Sequence, residues 1–237
     1  MDVGESNRLV TILTRNNGVI KAFAHGVKSI KSKRAGATGI LSYSNFTLQK
    51  KNDTYTVTEA VPIKVFFSAG SDIEILSLAQ YFCELCFVFA PQEAECEEFL
   101  RLILNSLHFL SEKKLPALQV KAITEFKVMA ISGYMPDLIA CTECGKFEET
   151  DDFMYFGIDD GSLMCSKCQK GKFCFKIDQN VLKALRHIVY SPFNNLYSFS
   201  VSSDTAKKLS DITEKYLVFQ SEHNFSTLNF YHSLKNI

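Results

Sequence analysis

Two cysteine pairs, Cys141-Thr142-Glu143-Cys144 and Cys165-Ser166-Lys167-Cys168, stand twenty residues apart, and no other feature constrains the fold as much. Each C-x-x-C turn presents two thiolates from one tight bend, and two such bends complete a tetrahedral four-sulfur zinc site. All four positions are then filled by protein, so no place is left for an activated water and the metal is expected to brace structure. Gly145 directly after the first pair suits the turn. Two disulfides or four idle thiols are the alternatives, and the spacing favours zinc over both. Cys83-Glu84-Leu85-Cys86 has the same form but lies inside the apolar run Ile73–Ala90. There it reads as core packing, because free cysteine behaves as a small hydrophobe. Cys96 and Cys174 lack a spaced partner and read the same way.

The net charge is zero, yet the zero is a cancellation. Residues 1–64 hold ten Lys/Arg against four Asp/Glu, and the remainder holds sixteen against twenty-two. A head at +6 on a body at −6 points to a polyanion as the partner of the head. After Met1 comes the polar run Asp2-Val3-Gly4-Glu5-Ser6-Asn7, unlike a secretory signal, and no apolar run approaches the ~20 residues of a membrane helix. A cytoplasmic protein without a membrane partner is expected, and the sequons at Asn45, Asn52 and Asn224 read as chance matches.

The head is strand-like. Arg8–Arg15 and Gly18–Ala24 alternate apolar and polar residues around Asn16-Asn17-Gly18, a step suited to a tight hairpin. Tyr43–Lys50 and Thr54–Ala60 form a second hairpin around Lys51-Asn52-Asp53. Between the two lies His25–Gly39, poor in large apolar residues and carrying Lys28, Lys31, Lys33 and Arg34, which reads as a mobile basic loop. Single-strand binders combine cationic grooves with aromatic platforms, and Phe23, Tyr43, Phe46 and Tyr55 are the aromatic candidates, though any one of them suits a core equally. After Phe67 the texture becomes helical. Ser71-Asp72-Ile73-Glu74 has capping-box spacing ahead of a helix that Pro91 ends. Phe99, Leu102, Ile103, Leu107 and Leu110 line one face of a second helix. Pro116 begins a third helix reaching Gly133, Asp178 caps a fourth, and Leu209, Ile212, Tyr216 and Phe219 mark one stripe of a last one. Phosphate-cradling, nucleophile-elbow, zinc-protease and dinucleotide motifs are absent from the sequence. The five histidines are scattered, so no enzyme is expected.

Three segments together resemble the RecO family of bacterial recombination mediators: Asp2-Val3-Gly4-Glu5-Ser6-Asn7-Arg8-Leu9-Val10, then Gly18–Gly26 with the basic loop behind it, then Gly133-Tyr134-Met135-Pro136-Asp137-Leu138 leading into Cys141. The resemblance covers essentially the whole chain. It implies an α+β fold, with an N-terminal OB-fold β-barrel over residues 1–68. A mainly α-helical domain over 69–237 is to follow, with the zinc module inserted at about 138–174. Family members carry a longer lead-in before the Gly-Glu-Ser motif, so the first barrel strand is expected to be truncated. The implied function is to bind single-stranded and duplex DNA, anneal complementary strands, engage single-stranded-DNA-binding protein, and with RecR assist RecA, near the nucleoid. Arg8, Lys28, Lys31, Lys33 and Arg34 are the expected DNA contacts, and Cys141, Cys144, Cys165 and Cys168 the expected zinc ligands. A zinc-ribbon adaptor working through protein contacts is the alternative, but it gives no reason for the basic head. A metal-dependent hydrolase is weaker still, since a closed cysteine set offers no catalytic opening.

Overall fold

The computed structural model describes residues 1–29, 32, 34–67, 70–147, 153–170 and 173–235. Its first strands are β1 (Asp2–Val3), β2 (Asn7–Thr14), β3 (Gly18–Ala24), β4 (Ser42–Lys51) and β5 (Thr54–Val65). They form one sheet in the order β1-β2-β3-β5-β4. Neighbours are antiparallel except β3 and β5, which pair in parallel at Ala22 with Tyr55 and Phe23 with Thr56. Both expected hairpins are present, the second with its return strand longer by five residues than the Thr54–Ala60 the sequence suggests. Among the described residues β1 and β4 do not pair with each other, so the sheet is open.

The inward face of this sheet is built from small residues. Ala22, Ala24, Val27, Ala37, Val57 and Ala60 are buried together, with Val10, Ile12, Phe46, Leu48 and Tyr55 packed against them. The expected alternation of β3 is borne out, since Gly18, Ile20, Ala22 and Ala24 point in while Lys21 is exposed.

The chain divides into two compact units, Met1–Ser111 with Thr227–Ile237, and Glu112–Ser226. The first holds the sheet with α1 (Ile73–Phe89) and α2 (Glu97–Ser111). Asp72, rather than Ser71, is the N-cap of α1, its Oδ1 accepting from the Glu74 and Ile75 amides at 2.9 and 3.5 Å. The segment from Pro91 to Cys96 runs along the β2–β3 hairpin. Val19 N donates to Pro91 O, Glu93 N to Asn17 O, and Cys96 N to Arg15 O at 2.7 Å. Gly18 makes this approach possible: its φ is +59° and a Cβ there would lie 1.8 Å from Pro91 O. Cys86 and Cys96 are buried as expected, but Cys83 is exposed. The buried face of α1 runs through Leu78, Phe82 and Leu85, which turns Cys83 and Phe87, one helical turn apart, to the outside. A further helix that the apolar pattern does not announce, α6 (Ser226–Lys235), starts where Glu84 Oε2 accepts from the Thr227 amide at 2.9 Å and from its hydroxyl.

The second unit is organised around α3 (Ala117–Ile131), with α4 (Gln179–Tyr190), α5 (Ser203–Ser221) and a small sheet ordered β7-β6-β8: β6 (Phe153–Gly157), β7 (Leu163–Met164) and β8 (Cys174–Asp178). Pro116 is the N-cap of α3, and Asp178 caps α4 as expected, its Oδ1 accepting from the Asn180 and Val181 amides at 3.0 Å each. On α5, Leu209, Ile212 and Tyr216 are buried, but Phe219 is 51% exposed, so the expected stripe ends one turn early.

Residues 119–129 of α3 are all buried, polar ones included. Lys121 and Glu125 are 1% and 0% exposed. The Lys121 ammonium lies 2.7 Å from Glu125 Oε1, 2.7 Å from Glu214 Oε2 and 3.2 Å from Ser210 Oγ. Thr213 Oγ1 donates to Glu125 Oε2 at 2.8 Å. Burial pushes the Glu125 carboxyl up, more than Lys121 and its hydrogen bonds pull it down, and Glu214 adds to the rise. Its stabilising contribution is therefore present below the ordinary carboxyl range and is lost as pH rises through the raised value. Glu125→Gln is expected to flatten the part of the melting temperature versus pH curve just above the ordinary carboxyl range. Lys121→Met, which strands a buried carboxylate, is expected to cost about 3–5 kcal/mol. Superimposable pH curves for parent and Glu125→Gln would show that this carboxyl does not titrate differently on folding.

Candidate metal centre and nucleic-acid interface

The four cysteines of the two C-x-x-C turns converge. Their sulfurs all lie within 4.8 Å of one another, with Cys144 Sγ and Cys165 Sγ 3.8 Å apart. A disulfide needs about 2.05 Å, whereas four sulfurs at about 2.3 Å from a central ion sit about 3.8 Å from one another. Backbone geometry sets each turn. Gly145 N donates to Cys141 O at 2.8 Å with Gly145 at φ +69°, and Cys168 N donates to Cys165 O at 3.1 Å. The Thr142 amide donates to Leu163 O at 2.8 Å, tying the first turn to β7 just before the second. Cys141 and Cys165 are buried, Cys168 half-buried and Cys144 exposed.

Burial raises the Cys141 thiol, yet the amides of Cys165, Cys144 and Glu143 directed at its sulfur outweigh that and hold it down to about 6. Cys168 is pushed up to about 12, first by its contacts with the Cys165 and Cys144 sulfurs and then by burial. A cation at the centre reverses this mutual penalty, because its charge favours every thiolate at once. The cluster can hold a metal ion and leaves it no open position. Cys174, half-buried beside Gln169, stands apart from it.

In the first unit the cationic residues lie in two distinct settings. Arg8 Nε is 3.3 Å from Asp2 Oδ1 and Lys28 Nζ is 3.2 Å from Asp2 Oδ2, while Lys28 Nζ also donates to Gly4 O at 3.4 Å. Lys28, ahead of Arg8, holds the Asp2 carboxyl below the usual range. These are solvent-exposed pairs, which a competing anion can exchange. Arg34 is different. Its guanidinium donates to His25 O at 2.9 Å, Val57 O at 3.2 Å and Thr58 O at 3.4 Å, clasping the crossover to β5. Lys31 and Lys33 lie outside the described residues.

The aromatic candidates separate as well. Phe46 and Tyr55 pack against the core, and Tyr43 is half-buried. The Phe23 ring lies on the other face of β3, its centroid 6.2 Å from that of His25 and the planes 10° apart. Lys21, two residues earlier on the same face, reaches over the Phe87 ring at 5.5 Å. Asp2, Lys21 and His25 are not among the contacts expected from the sequence. The alternation of β3 already carried the signal for Lys21, whereas the Asp2 contact needs the β1–β2 register, Asp2 opposite Arg8.

Fold and site together define an α+β chain with a strongly cationic N-terminal sheet and a closed four-cysteine centre in a helical C-terminal part. Residues 1–66 match the family described as Recombination protein O N terminal, and residues 70–228 match Recombination protein O C terminal. The chain belongs to the RecO family. It is 33% identical over 238 residues to the DNA repair protein RecO of Acetivibrio thermocellus, a match covering 100% of this chain and 94% of that protein. The protein of the same name from Caldicellulosiruptor bescii is 28% identical over 227 residues, 96% of this chain and 91% of the relative. That of Dehalococcoides mccartyi strain CBDB1 is 29% identical over 206 residues, 87% of this chain and 81% of the relative. The sequence families thus meet between residues 66 and 70, whereas the first compact unit runs on to Ser111, because α1 and α2 follow the sheet in space as well as in sequence.

If a metal ion ties the two turns, Cys165→Ser removes a buried sulfur and leaves an incomplete tetrahedron. The variant is expected to melt at a lower temperature than the parent. A strong chelator should lower the melting temperature of the parent and leave the variant unchanged. A parent indifferent to chelation would sink the metal reading.

Proposed function

We propose that this chain is a DNA repair and recombination mediator that binds single-stranded DNA through its N-terminal sheet and anneals complementary strands. The observation that carries this reading is the pairing of a +6 head with cations held in exchangeable contacts, Arg8 and Lys28 on Asp2, in a chain whose relatives are named DNA repair proteins. A strand's phosphates displace the Asp2 carboxylate from Arg8 and Lys28, and Lys31 and Lys33 extend the same cationic run in sequence. Neutralising backbone charge lowers the repulsion between two complementary strands, so annealing needs no fuel and no catalytic residue. Arg34 contributes by holding the crossover in place, with its remaining donors available to phosphate. Duplex DNA meets the same cations through its own phosphates.

The strand order, a meander followed by a parallel β3–β5 pair that places β4 at the far edge, supports an OB-type, partly open barrel for residues 1–68, with 69–237 as the helical domain. The four-sulfur set and its spacing support a structural zinc held by Cys141, Cys144, Cys165 and Cys168. Bound there, zinc locks the two turns together and offers no site for hydrolysis. Action beside the nucleoid in the bacterial cytoplasm follows from the substrate, with RecR and single-stranded-DNA-binding protein as protein partners and RecA as the recipient of the strand. No helix of the described residues is long and apolar enough to cross a membrane.

The test is binding of a labelled oligonucleotide over a salt series. Changing Lys28, Lys31 and Lys33 together to Glu, with Arg34 left intact to keep its three carbonyl contacts, is expected to weaken affinity and flatten the log–log salt slope by roughly 0.7 per lost contact. A folded triple variant with the parent's affinity and slope would move the DNA to another surface. A parent that binds no DNA at any salt would favour an adaptor acting through protein contacts.

A further inference from the structure

Strand β3 separates two surfaces. Ile20, Ala22 and Ala24 are buried on one side, and on the other Lys21, Phe23 and His25 follow one another at two-residue intervals, about 6.7 Å apart along an extended strand. The Phe23 and His25 rings are nearly parallel. Leu9 and Thr11 stand opposite Phe23 and Lys21 on β2, and Thr56 stands opposite Phe23 on β5. Phe23 is half-buried, while Thr11 and His25 are exposed. At one end of the row the half-exposed Phe87 ring lies under the Lys21 ammonium. At the other end the chain turns at Gly26, whose amide donates to Asn7 Oδ1 at 3.0 Å, and reaches Lys28. The Lys21 ammonium over Phe87 and the paired Phe23 and His25 rings thus lie along one outward side of β3, a cation beside ring faces, the combination that suits a strand whose bases are free. A duplex could use the cations but not the rings, because its bases are stacked on one another.

We propose that Phe23, backed by His25 and flanked by Lys21, is a nucleobase-stacking platform through which this surface prefers unpaired over paired strands. The proposal rests on the single-strand reading given above and adds what that reading lacks, a contact to bases rather than to phosphates. Stacking accepts any base, so the platform confers preference for strand state and not for sequence.

The chain has no tryptophan, so Phe23→Trp places a single tryptophan at the site, excited at wavelengths that the nine tyrosines do not absorb. Its emission is expected to be quenched by an oligothymidylate, and to stay unchanged with an abasic oligomer of equal length or with a duplex bound at low salt. Phe23→Leu, which keeps an apolar side chain on the strand, is expected to bind the oligothymidylate about tenfold more weakly with an unaltered salt slope, since stacking on one ring is worth ~1–3 kcal/mol and ~1.4 kcal/mol is tenfold. The unaltered protein, too, should bind the abasic oligomer more weakly than the base-bearing one, an outcome that does not depend on how either variant folds. Salt-dependent binding by the parent that is equal for abasic and base-bearing strands, or emission from Phe23→Trp that ignores a bound oligothymidylate, would overturn the platform and leave the phosphate contacts standing. No binding of either strand by the parent would overturn the single-strand reading itself.

Discussion

The parallel pairing of β3 with β5 is the constraint on which the N-terminal unit depends. Two parallel strands cannot be joined by a hairpin, so the chain must return to the end of the sheet where β3 began before β5 can start, and β4, antiparallel to β5, makes that return. The crossing between Ala24 and Ser42 joins β3 to β4 at one end of the sheet, past the place that β5 takes between them, and it carries all four cations of the basic loop. The ladder between β3 and β5 ends at Thr56, and the next two carbonyls of β5, of Val57 and Thr58, receive the Arg34 guanidinium instead. Arg34 therefore continues the edge of the sheet with side-chain donors where backbone donors stop. Val27 and Ala37, both buried in the core cluster, anchor the crossing on either side of it.

This explains why the cations of one loop are not equivalent. Arginine presents five donors in a planar fork and suits a site where several carbonyls converge, whereas lysine carries a compact, hydrated charge on a flexible stem. At position 34 the fork serves the fold. At position 28 the ammonium reaches two exposed acceptors, Asp2 and Gly4 O, and can leave them at little cost. Counting charges in the sequence locates the basic segment but does not separate these roles, which depend on where the neighbouring carbonyls point.

Much of the architecture was legible in local pattern. The strand pattern of Gly18–Ala24, the Asn-Gly turn, Asp178 as a cap and Pro91 as a stop each act over a few residues, and each is present. The cysteine spacing was legible for the same reason, since each C-x-x-C pair is a single turn. Contacts that join distant segments were not. Asp72 replaces Ser71 as cap because its own carboxylate meets the Glu74 amide. Helix α6 has little apolar periodicity, and its first turn depends on Glu84, 143 residues away. The same limit applied to the aromatic candidates. Phe23, Phe46 and Tyr55 look alike in sequence, and the pairing register decides that two face the core and one does not.

Helix α3 shows the opposite arrangement to the N-terminal sheet, with charge taken inward rather than displayed. A buried lysine between two carboxylates is weak evidence for stability, because desolvation offsets most of the attraction. Its stronger effect is on register. Lys121 meets Glu125 within its own helix and Glu214 on α5, while Thr213 and Ser210 on α5 meet the same pair. Sliding α5 by one turn against α3 would strand Glu125 without its hydroxyl donor and Lys121 without its second carboxylate. That same packing also fixes Tyr216 against Phe126 and Phe156, with centroids 5.7 and 5.3 Å away, and Phe156 belongs to β6, the strand that pairs with β7 immediately before Cys165. The placement of the second cysteine turn therefore rests on the α3–α5 register: the buried ions select one alignment, the aromatic cluster transmits it to β6, and the sheet delivers it to the metal-binding turn.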